Sequence, residues 1–443
     1  MNRRSRTLTL AATLVWCAIV IAHGGAADGQ YANKAAEGVP TFARDVAPIL
    51  YKNCVGCHRP GEIAPMSLLS YEEARPWAKA IRDEVTDGTM PPWHADAPHG
   101  TFTNERSLTD GEKETIRKWA NGGAPQGDPN DMPAKPAFTD GWSVGKPDVV
   151  FEMAEEYKLA ADGTIQYEYF YLPTNFTEAK WVKSIEVRPG NREVVHHVLV
   201  YYRAAPDMQR TNVFRPNPEK SRTPPDHTEG VRLSPARQGL PPRRILATYA
   251  PGTAPQVAPE GTAFRLEPGG IIELQMHYTT KGSPATDRTK VGLIFAKKPP
   301  AQELRPGQFI NGSFTLPAGA ANVSVDADVE FLQDATVWGI FPHTHLRGKK
   351  WEYTMVLPDG SSKTILSVPA YDFNWQTYYM FKEPLQVPKG AKIIATAWYD
   401  NSAANKANPD PKSDVKWGDQ TWEEMQYTGV LFTPSVPPTP IVK

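Results

Sequence analysis

The chain has 443 residues, of which 40% are hydrophobic and 22% are charged, as in an ordinary soluble globular protein. The formal net charge of −1 argues against a nucleic-acid partner, because binding to phosphates needs a basic surface. The length predicts about three domains. The 43 prolines beside 33 glycines favour β-structure with many turns over a helical bundle.

Residues 1–27 have the pattern of a secretion signal, in which Arg3, Arg4 and Arg6 precede an apolar run and small residues follow it. A run of about fifteen apolar residues is shorter than the roughly 20 that a bilayer span needs, which favours cleavage over a retained anchor. We therefore expect no membrane span after leader cleavage. The predicted location is periplasmic or secreted.

The cysteines indicate a covalent cofactor. Cys17 lies in the leader, and the mature chain keeps only Cys54 and Cys57, which form Cys-x-x-Cys-His with His58. This spacing is the attachment signal for haem c, with two thioethers and an adjacent imidazole for the iron. A redox dithiol would need a βαβ context, and a zinc site would need a second Cys or His pair nearby. We predict haem c at this segment.

Helices are predicted on both sides of the haem segment. Apolar spacing predicts helices over 41–53 and 71–85, and Thr109 with Glu112 predicts a capping box that opens a third helix. Helices in this arrangement resemble a small class I cytochrome c domain, here over residues 38–125.

Met90 is the predicted sixth ligand of the haem iron. Two prolines follow it and favour an extended loop that could present a thioether to iron. Met66, His94 and His99 are rival ligands, and Met90 could instead be a core residue.

The rest of the chain predicts β-structure. Residues 126–147 are rich in Pro, Gly and Asp and indicate a linker. Short strand patterns with Gly and Pro turns then predict two β-domains, over 148–297 and 308–435. The Arg- and Pro-rich stretch 204–252 is either a lid or docking loop or a solvated insertion.

Five of the ten histidines lie in strand-like runs, namely His196, His197, His277, His343 and His345. His343 and His345 are two residues apart, so on a strand both point to one face and can bind one metal. The neighbours His196 and His197 can share a metal only at a bulge or strand end, or through different ring nitrogens. Either pair taken alone is more often packed in a core.

Four segments in chain order resemble the copper type II, ascorbate-dependent monooxygenases, the family of peptidylglycine hydroxylating monooxygenase and dopamine β-monooxygenase. The segments are Val195–Leu199, Leu274–Tyr278, Pro342–Gly348 and Glu423–Met425. The resemblance covers about residues 148–435 and implies two jelly-roll domains. The predicted fold is therefore a small all-α class I cytochrome c domain followed by two all-β jelly-roll sandwich domains.

The resemblance implies two copper ions. The residues that match the electron-transfer copper site are His196, His197 and His277. The residues that match the catalytic copper site, where O2 binds and the C–H bond is attacked, are His343, His345 and Met425. A thioether suits Cu(I), whereas zinc, the main rival metal, rarely takes methionine. Met425 could also be a core residue.

The sequence departs from the family at the substrate. Where peptidylglycine enzymes hold a substrate carboxylate with Arg, Asn and Tyr, this chain has Phe341, Tyr427 and Gly429. We therefore expect an apolar or aromatic substrate rather than a peptide C-terminus. The family's animal members are rich in disulfides, and the mature chain here has no spare cysteine.

Together these patterns predict an exported haem and copper monooxygenase that hydroxylates a C–H bond of a small organic substrate with O2. Electrons would pass through haem c from an external donor, either a redox protein or an ascorbate-like reductant. The alternatives are a non-catalytic haem and copper electron-transfer protein and a haem peroxidase.

Overall fold

The computed structural model describes residues 38–435 except 63, 97, 139–140, 205–212, 222–240 and 242. The expected secretion signal lies outside the described residues, as does much of the 204–252 stretch. Strands make up 38% and helices 12% of the structure, so the protein is mostly β. No helix in the described part of the chain combines the length and the apolar character needed to cross a membrane.

The helical elements lie in the first third of the chain. They are a π-helical turn at Phe42–Val46, α1 at Ala47–Asn53, α2 at Tyr71–Ala74, a 3-10 turn at Arg75–Trp77, α3 at Ala78–Asp87, α4 at Asp110–Asn121 and a 3-10 turn at Pro129–Asp131.

Local signals explain the ends of these helices. The capping box predicted at Thr109 and Glu112 is confirmed, since each side chain accepts from the backbone N–H of the other residue. Gly88 ends α3 in the left-handed conformation, with φ of 76°. The apolar faces of α3 and α4 then pack together through residues such as Ile81 and Trp119.

The segment between α3 and α4 leaves the helices and packs on β-structure. Trp93 lies 5.1 Å from Tyr379, and Phe102 lies 5.5 Å from Phe381, between ring centroids. The N–H of Asp96 donates to the carbonyl oxygen of Ser367 at 2.9 Å. Phe102 is a member of the same apolar core as the strands it contacts.

These contacts correct the predicted fold class. The protein is not a small all-α class I cytochrome c domain followed by two jelly-roll sandwich domains, because the described residues form no all-α cytochrome domain. The helices are short, and the chain that joins two of them is part of a β core. The strands are divided among several small sheets. The predicted domain boundaries stay a prediction.

The first β region covers residues 149–303, except for one short strand, β6, at Phe214–Pro216. It contains three sheets. One sheet has the order β1-β12-β4-β9-β13, with β8 also paired to β4. Its strands are β1 Val149–Glu152, β4 Lys180–Arg188, β8 Gln256–Val257, β9 Thr262–Leu266, β12 Lys290–Phe295 and β13 Gln302–Glu303. The second has the order β3-β10-β5-β7, with β3 Glu168–Pro173, β5 Val195–Arg203, β7 Arg243–Tyr249 and β10 Ile271–Tyr278. The third pairs β2 Tyr157–Leu159 with β11 Ala285–Asp287.

The second β region also contains three sheets. One has the order β14-β23-β17-β20, with β14 Arg305–Ile310, β17 Ala335–His343, β20 Tyr379–Val387 and β23 Tyr427–Pro434. Another pairs β15 Thr315–Leu316 with β22 Val415–Lys416. The last has the order β19-β18-β21-β16-β6, with β6 Phe214–Pro216, β16 Val323–Phe331, β18 Gly348–Val356, β19 Ser362–Val368 and β21 Lys392–Tyr399.

Strand β6 crosses between the regions. It follows β5 of the first region in the chain, yet it pairs antiparallel with β16 of the second, with Arg215 opposite Glu330. The ion pair between these two side chains is 2.8 Å long, and Lys220 Nζ contacts Asp328 at 2.8 Å. This part of the Arg- and Pro-rich stretch is therefore an edge strand, and not a lid.

The two regions share an apolar core. Buried residues of the first region, such as Val198 and Leu274, belong to one cluster with Phe341 and Tyr427 of the second. Because this cluster lies between β5, β10, β17 and β23, side chains from both regions reach a common space.

Candidate metal centre

The first histidine group, His196, His197 and His277, lies on the two central strands of one sheet. His277 of β10 pairs with His197 of β5, and the register shifts before the next pair, Tyr278 with Val195. His196 is therefore the extra residue of a β-bulge, which lets two neighbouring side chains turn toward one ion. A bulge is one of the arrangements in which the sequence analysis expected His196 and His197 to be able to share a metal.

The nitrogens of the first histidine group are placed to bind a metal. One ring nitrogen from each residue lies within 4.8 Å of the others. Nδ1 of His196 and Nδ1 of His277 are buried and have no hydrogen-bond partner among the described residues. Burial lowers the pKa of all three imidazoles, that of His277 to about 3, which keeps them neutral at pH 7. Buried, neutral and unpaired imidazole nitrogens fit a copper ion.

The second histidine group, His343 and His345, lies where β17 ends. Their ring centroids are 5.2 Å apart. Nδ1 of His343 lies 2.8 Å from Oε1 of Gln376, and Nδ1 of His345 lies 3.1 Å from the carbonyl oxygen of Glu423. Both partners can only accept, so each Nδ1 carries a proton and each Nε2 keeps a lone pair for a metal.

Met425 lies beside the second histidine group. His343 pairs with Tyr427, the first residue of β23, so Met425 comes next to the end of β17. The hydroxyl of Tyr399 donates to the Met425 carbonyl oxygen at 2.7 Å and fixes this part of the backbone. Two imidazoles and a thioether around one cavity are a donor set that suits Cu(I) better than zinc.

A buried carboxyl supports the second histidine group from behind. Glu424 is fully buried and accepts the backbone N–H of His345 at 2.8 Å and that of Arg347 at 2.6 Å. Burial raises the pKa of Glu424 to about 7. Glu424 therefore holds the turn that places His345.

The buried imidazoles predict how the stability of the metal-free protein depends on pH. Burial lowers the pKa of His343 to about 4 and that of His277 to about 3, while both imidazoles titrate near 6.5 in the unfolded chain. As pH falls below 6.5 the unfolded chain therefore binds protons that the folded state does not. We expect the free energy of unfolding to fall by about 1.4 kcal/mol per pH unit for each of these groups between pH 6.5 and 4.

Urea unfolding of the metal-free protein at several pH values measures this slope. The H343Q variant lacks one titrating group and should show a shallower slope by about 1.4 kcal/mol per pH unit. A slope that H343Q leaves unchanged would contradict the assignment.

One cavity of about 180 Å³ between the β regions is lined by His197, His277, His343, His345 and Met425. His196 does not line it but lies with His197 and His277 in the first histidine group. The aromatic residues that line it are Tyr167, Tyr201, Phe341, Trp417 and Tyr427. The polar residues that line it, besides the histidines, are Arg243, Gln275, Gln308, Gln376 and Asp419. The structure therefore brings together all six predicted copper ligands, whose roles as ligands stay a prediction.

Phe341 and Tyr427, from which the sequence predicted an apolar or aromatic substrate, lie against the candidate ligand His343. The ring of Phe341 is nearly parallel to that of His343, with centroids 6.0 Å apart, and Tyr427 meets His343 edge-on at 6.0 Å. Gly429 pairs with Phe341 in the sheet and adds no side chain there.

The sequence did not indicate that Arg243 lines the cavity. Its guanidinium contacts Glu273 at 2.8 Å and lies 4.2 Å from the ring centre of Tyr201. In the sequence it was one of several arginines in the 204–252 stretch. The only signal would have been the strand-like alternation of 243–249.

The 371–378 loop is a second feature that the sequence did not indicate. The ring of Phe373 lies 5.3–6.3 Å from each imidazole of the first histidine group and 5.9 Å from that of His345. Gln376, in the same loop, contacts both histidine groups. Apart from a run of aromatic and amide residues, the local sequence carries no signal for this position.

The Cys54–His58 segment, where we predicted haem attachment, follows α1 in a turn. Both thiols are free, and burial raises the pKa of Cys54 to about 12. Nδ1 of His58 is buried and has no hydrogen-bond partner within the described ranges, and burial lowers the pKa of this imidazole. The free thiols and the unpaired Nδ1 are donor atoms that the prediction requires, and haem attachment itself stays a prediction.

The candidates for the sixth haem ligand lie in different places. Met66 packs against the apolar core beside Cys54, and its backbone makes a hydrogen bond with His58. Met90 is half-buried after α3, where its N–H donates to the carbonyl oxygen of Glu84. Met66 is therefore close to His58 in the structure as it is in the sequence, and ligation by Met90 stays a prediction.

His94 and His99 are the remaining rivals. His94 has a buried Nε2 with no partner in the part of the chain that the structure describes, and it lines a small cavity with Trp375 and Arg106. The N–H of His99 donates to the carbonyl oxygen of Asp96 in a turn.

The backbone of the first β region contacts the Cys54–His58 segment at Gly252. A Cβ at this position would lie 2.3 Å from Sγ of Cys57, and φ is +74°. We expect G252A to lower the free energy of unfolding by about 2–4 kcal/mol through steric overlap and left-handed strain. Gly261 has a similar φ of +76°, and a Cβ there would contact nothing within 4 Å. G261A should therefore lower the free energy of unfolding only through backbone strain, by about 1 kcal/mol. Equal unfolding midpoints for the two variants would refute this contact.

Part of the second β region matches a known protein family. Residues 325–426 match the C-terminal domain of the copper type II ascorbate-dependent monooxygenases. The match contains His343, His345 and Met425, and it stops short of the first histidine group. The matched family implies an oxidoreductase that binds copper and uses O2 and an ascorbate-type reductant on a small substrate.

A search of curated proteins found no relative that matches the chain. Among solved structures, the VP2 subviral particle of infectious bursal disease virus has 10% identity and a TM-score of 0.19, covering 67% of this chain and 74% of that one. The major capsid protein P2 of bacteriophage PM2 has 8% identity and a TM-score of 0.22, covering 67% and 98%. Allantoicase has 7% identity and a TM-score of 0.15, covering 55% and 81%. Scores this low carry no argument about fold or function.

Proposed function

We propose that the protein is an exported, copper-dependent monooxygenase that hydroxylates a C–H bond of a small organic substrate. One observation carries this proposal: residues of both histidine groups and Met425 line a single cavity, and the region that contains the second group matches a monooxygenase family. Residues His343, His345 and Met425 would hold the copper that meets O2. Residues His196, His197 and His277 would hold the other.

The reaction balances as follows. A substrate C–H bond, O2, two electrons and two protons give a C–OH bond and one water, and the electrons come from an external reductant. Copper supplies the one-electron chemistry and the activation of O2 that no side chain provides.

The chain's own residues supply the environment for this reaction. Burial keeps the imidazoles neutral, so their lone pairs are free for a metal at neutral pH. The aromatic wall, including Phe341 and Tyr427, excludes water and offers an apolar surface to the substrate. This wall supports a small apolar or aromatic substrate.

We also propose that haem c, attached at Cys54 and Cys57 with His58 on the iron, would relay electrons from the external reductant to the metal centre. A haem held by these residues would supply one-electron redox chemistry. Two contacts support this part. Arg106 donates to the carbonyl oxygen of Gly252, next to Cys57, and it also lines the small cavity beside Trp375. Trp375 is adjacent in sequence to Gln376, which contacts both histidine groups.

Metal analysis and oxygen labelling test the proposal. The purified protein should contain two coppers and one haem per chain. Turnover under ¹⁸O2 with ascorbate and a panel of small aromatic and aliphatic compounds should place one labelled atom in a product. A protein that holds copper and haem but labels no product would be an electron carrier, and the monooxygenase proposal would be withdrawn.

The relay and the export have separate tests. In stopped-flow mixing of the fully reduced protein with O2 and substrate, haem that stays reduced while product forms would exclude the relay. For export, haem-stained protein should appear in the periplasmic or secreted fraction and lack residues 1–27.

A further inference from the structure

We propose that Arg243 and Asp419 bind the end of the substrate that lies farthest from the histidines, and that this end is a neutral group with both a hydrogen-bond acceptor and a donor. The inference rests on the proposed function, because it names the class of compound that the same cavity would hydroxylate. That class is a single aromatic ring with a primary amide, or a group of the same hydrogen-bonding pattern, at one end and a short alkyl group at the other.

Strand β10 sets the distance between Arg243 and the first histidine group. Residues two apart on a strand share a face, so Glu273, Gln275 and His277 follow one another along the same side of β10. Glu273 and His277 are separated by about 13 Å along the strand. The guanidinium of Arg243 contacts Glu273 at 2.8 Å and lines the cavity. Arg243 therefore lies at the end of the cavity away from the first histidine group, which we call the far end.

The wall of the cavity between these two ends is largely apolar. Leu199 of β5 pairs with Gln275 and lies between the ends. Other apolar side chains that line the cavity are Ile245, Ile310 and Phe341. The cavity volume of about 180 Å³ is close to the roughly 150 Å³ of an engineered protein cavity that binds benzene. A single ring with short substituents therefore fits this space.

Four charged side chains lie together at the far end, and their charges cancel. Glu273 is fully buried and contacts both Arg203 and Arg243. Asp419 also lines the cavity and interacts electrostatically with Arg243. A carboxylate or an ammonium group bound here would add a charge that has no counterion among these four side chains, which is costly away from water. A neutral group adds no charge, so the far end favours an uncharged substrate.

Arg243 and Asp419 offer complementary hydrogen bonds. A guanidinium has five N–H groups and no acceptor, and Arg243 donates one of them to Glu273. A carboxylate has only acceptors. The carbonyl oxygen of a primary amide can therefore accept from Arg243 while its NH2 group donates to Asp419. With the amide held in this way, the opposite end of the ring would extend along the cavity toward the histidines and Met425.

Four compounds of similar shape test this recognition. They are 4-methylbenzamide, which is neutral, 4-methylbenzoate, which is an anion, 4-methylbenzamidine, which is a cation, and p-cymene, which has no polar group. Calorimetric titration into the purified protein without a reductant measures their affinities in the absence of turnover. We expect the amide to bind at least about tenfold more tightly than either ion, because the anion meets Asp419 and the cation meets Arg243. Tighter binding of either ion, or equal binding of all three polar compounds, would overturn the inference.

Single substitutions separate the two binding residues. R243M should weaken binding of the amide by about 10–100-fold, the value of a hydrogen bond to a charged group, and should not weaken binding of p-cymene. D419N removes one anion and keeps the shape of the side chain, so it should strengthen binding of 4-methylbenzoate by at least about tenfold. D414N makes the same change at an exposed position outside the cavity and should match the wild type.

The D419N comparison decides even if R243M fails to fold because Glu273 loses a partner. An affinity for 4-methylbenzoate that is the same in D419N and the wild type would remove Asp419 from the substrate site and overturn the inference.

Oxygen labelling separates this inference from the proposed function. Under ¹⁸O2 with ascorbate, 4-methylbenzamide should gain one labelled atom at its methyl carbon, and R243M should raise KM more than it lowers kcat. A protein that prefers the amide but labels neither it nor any other compound would contradict the monooxygenase proposal, while the binding preference would stand. A protein that labels other compounds but binds 4-methylbenzamide no better than its charged analogues would overturn the substrate class alone.

Discussion

The H345A variant is expected to bind one copper instead of two and to lose product formation by at least about 100-fold. Even the loss of a partner that merely supports a metal-bound imidazole costs 10–100-fold, and this change removes a ligand itself. His345 is almost fully buried, and the Glu423 carbonyl oxygen orients its ring. We therefore expect no other side chain to take over its role as a copper ligand in H345A.

Copper content after dialysis and the rate of ¹⁸O incorporation measure this effect. The K363A variant changes an exposed residue of β19 in the same β region and serves as the control. The first histidine group is untouched in H345A, so its copper should remain. Retention of two coppers would show that His345 is not a ligand, and loss of both would indicate a wider collapse of the centre.

The R347M variant is expected to lower the free energy of unfolding by about 3–5 kcal/mol. Arg347 is 1% exposed, and its guanidinium donates to Oδ1 of Asn401 at 2.8 Å and to the Trp422 carbonyl oxygen at 2.9 Å. It is also the cation that lowers the pKa of buried Glu424 against the effect of burial. Methionine leaves the Trp422 carbonyl oxygen unpaired and a buried carboxyl without its cation, while Oδ1 of Asn401 keeps the bond from Asn408.

Denaturant unfolding of R347M and of R347M/E424Q measures this effect. The double variant removes the carboxyl charge as well and should recover part of the loss. The control is R215M, which breaks an ion pair of an exposed arginine with Glu330 and should cost less than about 1 kcal/mol. If R347M and R215M unfold at the same denaturant concentration, the buried cation contributes no stability.

Much of the candidate site could be predicted from the sequence, because local rules determine it. A spacing of two places His343 and His345 together at the end of a strand. Adjacent histidines that share an ion require a bulge, and the register shift beside His277 provides it. The resemblance of the four ligand segments to a monooxygenase family, and not a local rule, then indicated that they would meet.

The rest depends on packing between distant parts of the chain, for which local sequence has no rule. Phe373 and Gln376 lie in a loop of the second β region and reach histidines of the first. The fold class was wrong for a similar reason. The capping box at Thr109 was read correctly, yet helix signals could not show that Trp93 and Phe102 join a β core.

Strand β6 has a consequence for how the substrate arrives. Two-domain enzymes often open by a hinge rotation of rigid bodies. Here the chain crosses from β5 to β6, back to β7, and again from β13 to β14, so three connections join the two regions. Three connections restrict rotation more than a single hinge does, so we expect the two regions to move little against each other and the cavity to admit only small molecules.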